Sequence, residues 1–187
     1  MIFNQIERIS NLLRAEERKE GGEYGLQAVH METLYYLSKC NRFSDTPASV
    51  TEYLQLTKGT VSQSLRVVES KGLIKKQTDA CDRRVIHLKI TARGKRVLAN
   101  SMPPSLFSNA LEEMPLETKA QLQTALDTLI KACQKENNSK SFDVCGSWRY
   151  CQPVDDKTHF CGLTKQPLSN DDIQLICREH TLIQTNE

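Results

Sequence analysis

Residues 56–94 read LTKGTVSQSLRVVESKGLIKKQTDACDRRVIHLKITARG, and this stretch decides the fold. Thr57 is placed to cap a helix with its hydroxyl, and Gly72 stands where that helix must end in a left-handed residue. At about 100° per residue, Val61, Leu65 and Val68 fall on one side of the helix. Gly59, Ser62, Gln63, Arg66 and Ser70 fall on the other. That outer side is polar, yet Arg66 is its one charge, and only Gln63 and Arg66 are long. A merely solvated face would carry more paired Glu and Lys. Short donors and acceptors beside one Gln and one Arg suit base edges in a major groove, where Arg pairs with guanine and Gln with adenine. Lys58 and Thr60, in the first turn, extend the same candidate surface.

Working outward, LIKKQT and VIHLKI read as two strands, and DACDRR between them as a turn with Arg83 and Arg84 at its tip. Upstream, Thr46 and Pro47 predict the N-cap and first residue of a short helix, TPASVTEYLQ, with Val50, Tyr53 and Leu54 facing inward. Two short helices joined tightly, followed by a basic hairpin, make a helix-turn-helix with a wing. Charge agrees. From Thr57 to Arg96 there are 11 Lys and Arg against 3 Asp and Glu, a net +8, which leaves −6 for the rest of a chain that totals +2. Charge so segregated implies an anionic partner, and wing arginines supply salt-dependent affinity for a nucleic-acid backbone or minor groove.

The pattern Asp82-x-Arg84-x-x-x-Leu88-x-Ile90-Thr91-x-x-Gly94 resembles the wing signature of the MarR family of bacterial regulators, with Ile90 where Leu is commoner. The resemblance covers roughly residues 5–135. It implies that Asp82 braces the wing and that Arg84 inserts into the minor groove. It also implies a homodimer closed by the N- and C-terminal helices, reading a pseudo-palindromic operator with recognition helices about one DNA turn apart.

The flanking sequence is helical. Ile2, Ile6, Ile9, Leu12 and Leu13 form one stripe over residues 2–18, and Gly21 and Gly22 are expected to stop that helix. A second helix is expected from about Leu26 to Lys39, with Val29, Leu34 and Leu37 buried and His30 structural. Thr91 caps TARGKRVLANSM, which Pro103 and Pro104 interrupt, and Pro115 opens a last helix with Leu122, Leu126, Leu129 and Ile130 in a stripe. No apolar run approaches the about 20 residues of a membrane span.

Beyond KENNSKS lies a tail that the MarR resemblance does not account for. Cys145, Cys151, Cys161 and Cys177 are 4 of the 7 cysteines and fall in the last 43 residues. Large apolar residues are too few there for an independent core, so a metal held by the four thiolates is the expected staple. His159 and His180 are reserve ligands. Glycine follows Cys145 and Cys161, leaving room for backbone amides to turn towards sulfur. Ser169 with Asp172 predicts a capping box for a final helix carrying Ile173, Ile176, Cys177 and His180 on one face. The gaps of five, nine and fifteen residues between cysteines depart from paired zinc knuckles. They favour an iron–sulfur cluster slightly over zinc.

The expected fold is mainly α with a small β-ribbon. It comprises a winged helix-turn-helix domain over residues 1–134 flanked by dimerisation helices, a linker over 135–142, and a small metal-stapled segment over 143–187. The expected function is a sequence-specific, cytoplasmic transcriptional regulator, a homodimeric repressor on double-stranded DNA. A redox- or metal-sensitive four-cysteine centre modulates its affinity. The alternative is a MarR-type regulator that answers to a small-molecule effector in a cleft between the dimerisation and DNA-binding parts, with the tail a static zinc site. A third reading puts the sensor at Cys81 in the wing, where Asp79 and Asp82 oppose oxidation and Arg83 and Arg84 favour it. No Ser-His-Asp, His-Glu or glycine-loop arrangement is present, so an enzyme is not expected.

Overall fold

The computed structural model describes residues 1–137, 140–155 and 158–181. The chain runs α1 (Ile2–Gly22), α2 (Ala28–Lys39), α3 (Pro47–Tyr53), α4 (Lys58–Ser70), β1 (Ile74–Thr78), β2 (Ile86–Ile90), α5 (Ala92–Ser101), α6 (Ser105–Glu112) and α7 (Leu116–Glu136). The tail adds three short strands, β3 (Cys151–Pro153), β4 (His159–Cys161) and β5 (Gln166–Leu168), and one helical turn, α8 (Asn170–Ile173). Among the described residues no helix is long and apolar enough to cross a membrane.

Local chemistry sets the helix starts. Thr46, Thr57 and Thr91 each accept a bond from the backbone N–H three residues on, at 3.2, 3.2 and 3.1 Å. These bonds satisfy amides that the first helical turn leaves unpaired. The core forms where α2 meets α4: Met31, Leu34 and Leu37 pack with Val61, Leu65 and Val68, closed by Val50, Leu73, Leu88 and Leu98. Each such buried side chain stabilises by about 1.5–3 kcal/mol relative to exposure. Tyr36 is buried among them, and its hydroxyl donates to Ser44 O at 2.8 Å.

β1 and β2 pair antiparallel in the register Ile74↔Ile90, Lys76↔Leu88 and Thr78↔Ile86. The Thr91-x-x-Gly94 end of the wing signature has a packing reason. A Cβ on Gly94 would lie 2.3 Å from Leu73 O and 2.8 Å from Ile90 Cγ1, so only glycine lets α5 start flush against β1.

Three helices depart from the sequence expectations. α1 runs through Gly21 and Gly22, and the chain turns only at Gly25, whose φ is +62°. Gly21 serves close approach instead, since a Cβ there would meet Leu26 O and Met31 Cγ at 3.1 Å. α6 forms after the proline pair and is tied to α1 by Glu20, which accepts from Ser105 N–H and Oγ at 3.1 and 2.8 Å. The helix expected to run past Cys177 ends at Ile173, although its Ser169–Asp172 capping box forms. Ile176 is instead bridged to Cys40 and Val144, its N–H bonded to Lys39 O and its carbonyl to Asn41 N–H, both at 2.9 Å. Backbone groups committed sideways cannot make helical bonds.

The expected linker is shorter than residues 135–142. Residues 135 and 136 belong to α7, Ser141 is buried, and Phe142 packs edge-on to Tyr36 and Tyr53. Residues 138 and 139 of that linker, and 156, 157 and 182–187 of the tail, lie outside the described residues.

α1 buries only Gly21, and α7 buries nothing. Ile2, Phe3, Ile6, Ile9 and Leu12 on one helix, and Leu122, Leu126, Leu129 and Ile130 on the other, are left exposed.

Candidate nucleic-acid interface and thiol cluster

α4 divides as its periodicity requires: Val61, Ser64, Leu65 and Val68 are buried, while Lys58, Thr60, Ser62, Gln63 and Arg66 are exposed. A groove of about 390 Å³ separates it from α3, edged by Ala48, Thr51, Lys58, Ser62, Arg66 and Lys76. Ala48, Thr51 and Lys76 escaped the sequence reading. Their place on this surface depends on how α3 and β1 pack against α4, which no local spacing encodes. Thr60 is the least free of the expected contacts, since its hydroxyl bonds to the capping Thr57 hydroxyl at 2.9 Å.

The wing tip is built by two carboxylates. Asp79 accepts from the backbone N–H of Cys81 and of Asp82, both at 2.8 Å, which closes the turn. Asp82 accepts from Arg84 Nε at 3.0 Å, Nη2 at 2.9 Å and backbone N–H at 3.0 Å. This two-pronged pair holds a guanidinium that is otherwise 91% exposed. Arg83 is exposed beside it, as is the Cys81 thiol. At the wing's base His87 lies between Asp45 Oδ1 at 2.5 Å and Asp79 Oδ2 at 3.1 Å, and Lys89 Nζ also reaches Asp45, at 2.5 Å. Burial pushes the His87 imidazole down, but the two carboxylates outweigh it and hold it above its ordinary value. Asp45 thus ties the wing to the loop before α3.

The tail gathers four cysteines that are far apart in sequence. Cys151 and Cys161 are direct partners across β3 and β4. Cys145, Cys161 and Cys177 are buried in one small cluster with Trp148 and Leu168, and Cys151 packs against it. The sulfurs sense one another. A sulfur–sulfur hydrogen bond with Cys145 holds the Cys177 thiol well below its ordinary value, helped by backbone N–H groups of Glu179 and His180 and by the Asn41 amide. The same bond, followed by burial, pushes Cys145 up. Burial raises Cys151, while a bond to Cys145 opposes the rise. Thr164 N–H donates to the Cys161 sulfur at 3.4 Å, in the turn that Gly162 opens. Gly146 serves another purpose: a Cβ there would sit 3.1 Å from Ile173 O.

One buried donor in this cluster, Trp148 Nε1, has no hydrogen-bond partner among the described residues. Donors left over beside sulfur are matched by thiolates. Even so, among the described residues no set of three or more His, Cys, Asp and Glu side chains stands in position to hold a metal ion.

The reserve histidines separate. His180 is engaged at both ring nitrogens, by the Ser141 hydroxyl at 2.5 Å and the Ser147 hydroxyl at 2.9 Å, so it is not free to ligate. His159 lies two residues before Cys161 on β4, and its buried Nδ1 has no hydrogen bond.

The tail docks on the helix-turn-helix. Arg178 Nε donates to Glu52 Oε2 of α3 at 2.9 Å, its Nη2 reaches Glu52 Oε1, and its backbone N–H donates to Ser44 Oγ at 2.9 Å. Lys140 Nζ lies 3.5 Å from the same Glu52 carboxylate. The Arg178 pair, ahead of Lys140, lowers the Glu52 carboxyl against the effect of burial. Arg42, in the loop after α2, bonds Pro167 O and faces Asp172 at 3.7 Å. A cleft of about 500 Å³ remains between α3, α7 and the start of the tail, lined by Tyr53, Gln55, Asp127, Ile130, Gln134 and Phe142 among others.

Residues 24–85 match the sequence model of the MarR family. No curated protein matches the chain. Among solved structures the chain is similar to a MarR transcriptional regulator from Methanosarcina mazei, with TM-score 0.61 and 20% identity over 72% of this chain and 96% of that one. It is similar to FabT from Streptococcus pneumoniae in complex with DNA, with TM-score 0.57 and 27% identity over 72% of this chain and 96% of that one. CouR from Rhodococcus jostii bound to p-coumaroyl-CoA gives TM-score 0.58 and 17% identity over 68% of this chain and 90% of that one. The fold of the helix-turn-helix and its wing is thus similar to that of these regulators, and each match leaves more than a quarter of this chain uncovered.

Proposed function

We propose that the chain is a MarR-type transcription regulator that binds duplex DNA as a homodimer and represses, with its DNA affinity set by the four-cysteine tail. The observation that carries the DNA reading is the exposed row Ser62, Gln63 and Arg66 on α4, beside a wing tipped by Arg83 and Arg84. Gln63 and Arg66 are the two side chains long enough to reach base edges, and the wing supplies backbone or minor-groove affinity. Two-fold pairing through the bare stripes of α1 and α7 places two such surfaces on one face of the duplex, so the site is pseudo-palindromic. Bound there, the dimer represses by occupying the promoter. Selection of duplexes from a random pool by the full-length protein tests the reading. An enriched palindromic motif supports it, and uniform recovery of all sequences rejects it.

Cys145, Cys151, Cys161 and Cys177 are proposed as ligands of one metal centre, an iron–sulfur cluster or zinc. Cys145, Cys161 and Cys177 share one buried cluster against which Cys151 packs, and this gathering supports the reading. The spacing of the four cysteines keeps an iron–sulfur cluster slightly ahead of zinc. Metal analysis and a visible spectrum of protein purified without oxygen decide this: a visible band that bleaches on oxidation is expected, and one zinc per chain with no colour rejects the cluster.

A small-molecule effector is the second reading, favoured by the cleft between α3 and α7 and by the bound p-coumaroyl-CoA of CouR. It leaves the tail a static support. Effector-dependent release of DNA with the cysteines replaced would establish it.

A further inference from the structure

We propose that His87 is a positioning residue for DNA binding: its imidazolium clamps the wing turn, through Asp79, to the loop before α3, through Asp45, and affinity for duplex DNA falls when that proton is lost. This rests on the DNA-binding reading and adds to it a residue that touches no DNA.

His87 lies on β2, and each of its ring nitrogens meets a carboxylate. Nδ1 is 2.5 Å from Asp45 Oδ1, and Nε2 is 3.1 Å from Asp79 Oδ2. A carboxylate only accepts, and a neutral imidazole has one N–H to give. Both contacts are made together only when both nitrogens carry hydrogen, so the geometry is that of the cation. Donors around the carboxylates keep the proton on the ring. Lys89 Nζ takes the other Asp45 oxygen at 2.5 Å, and the backbone N–H groups of Asp82 and Cys81, ahead of His87, hold the Asp79 carboxyl below its usual range.

The other groups facing the ring do not take its place. Lys89 is two residues along β2, and its charge opposes the imidazolium. Across the ribbon Gln77, the register partner of His87, is uncharged, and Lys75, two residues along that face, is exposed. Cys40, at the end of α2, is pushed up to about 12 by burial ahead of the Asp45 charge and stays a neutral thiol. Glu52 of α3 is engaged by Arg178.

Loss of the proton leaves one N–H for two carboxylates. It stays on the shorter and more buried side, since the Asp45 side chain is 7% exposed and that of Asp79 33%. Nε2 then turns a lone pair on Asp79. The wing turn remains closed by the bonds from Cys81 and Asp82 N–H, but it is no longer held to β2 and the loop, so Arg83 and Arg84 are presented less firmly. The Asp79 carboxylate is also no longer neutralised, and its charge repels the phosphates that the wing arginines attract. The bond from Leu88 N–H to Asp45 O, at 2.7 Å, does not titrate, which confines the effect to the tip. Burial lowers the imidazole, and the two carboxylates outweigh it. The clamp is therefore complete below pH 6.5 and is lost as pH rises through the raised folded value.

The test measures the affinity of full-length protein for a duplex that it selects, at constant ionic strength, from about pH 6 to about pH 9. A Cys81→Ser background keeps the exposed wing thiol out of the profile. The parent is expected to lose about tenfold across the range, within the usual scale of coupling. His87→Gln should vary less than about twofold and bind throughout as weakly as the parent does at high pH. Asp79→Asn should go the other way. Its Oδ1 still closes the turn while its Nδ2 donates to a neutral ring, so it should bind at high pH as tightly as the parent does at low pH. Damage to the wing would weaken both variants alike, so the opposite outcomes separate positioning from damage, and Asp79→Asn decides alone if His87→Gln does not fold. A flat parent profile, the parent's slope retained in His87→Gln, or weak high-pH binding by Asp79→Asn overturns the inference and leaves the DNA reading intact. Binding of no duplex at any pH rejects the DNA reading, and the inference with it.

Discussion

Arg84 and Gln63 are both exposed, and the proposed function assigns them different work. Arg84 is pre-aligned by the Asp82 carboxylate and reaches outward with a formal charge. Arg84→Ala should weaken all duplexes alike and lower the salt slope of binding by about 1, which a salt series reads. Gln63→Ala or Arg66→Ala should instead cost about 1–3 kcal/mol on the preferred site and relax preference at one position, which competition between single-base variants reads. His87 adds a pH dependence. Its folded value is raised above the ordinary 6.5 because Asp45 and Asp79 outweigh burial. The stabilisation it gives is complete below pH 6.5 and is lost as pH rises through the raised folded value. Buried His30 and His180 are lowered and work in the opposite sense, so total stability does not isolate the effect. The urea midpoint of wild type minus that of His87→Gln does, and it should shrink as pH rises; a flat difference would leave His87 without a linked role.

At the scale of elements, the capped helices were legible because their signals are local. Thr46, Thr57 and Thr91 each bond an amide three residues away, and Val61, Leu65 and Val68 repeat at the helical period. What failed did so for non-local reasons. Gly21 and Gly22 read as a stop, yet α1 continues, because Gly21 is needed for the approach of Leu26 and Met31. The helix after Ser169 had a correct cap and a correct face, and was cut short by a bridge to Cys40, more than a hundred residues upstream. α6 has no cap bond of its own and depends on Glu20 of α1. Gly94 belongs here as well: its place in the signature is visible in sequence, but only the packing of α5 on β1 gives the reason. Gly94→Ala should destabilise the domain by about 1–3 kcal/mol through overpacking against Leu73 O, measurable as a lowered urea midpoint. An unchanged midpoint would mean that α5 can slide.

For the whole molecule, the bare stripes on α1 and α7 carry the proposal of a dimer. Ile9 and Leu12 on one helix and Leu126 and Ile130 on the other stay exposed in a single chain, an apolar surface that a second copy is expected to cover. Light scattering at micromolar concentration should give a dimer, and Leu126→Asp with Ile130→Asp should give a monomer that binds a half-site weakly; a wild-type monomer would remove the two-fold operator. By itself the sequence determined the helix-turn-helix, the wing, the outward face of Lys58, Ser62, Gln63, Arg66, Arg83 and Arg84, and the singling-out of four cysteines. These rest on spacing, capping and charge, which act over a few residues. Only the tertiary structure decided that the cysteines meet beside Trp148, that His180 is engaged by two serines, and that the tail grips Glu52 of α3. Residues 52 and 178 carry opposite charges among many others in the chain. Their pairing follows from burying Ile176 and Cys177 against the end of α2, a choice made by packing that no local pattern records.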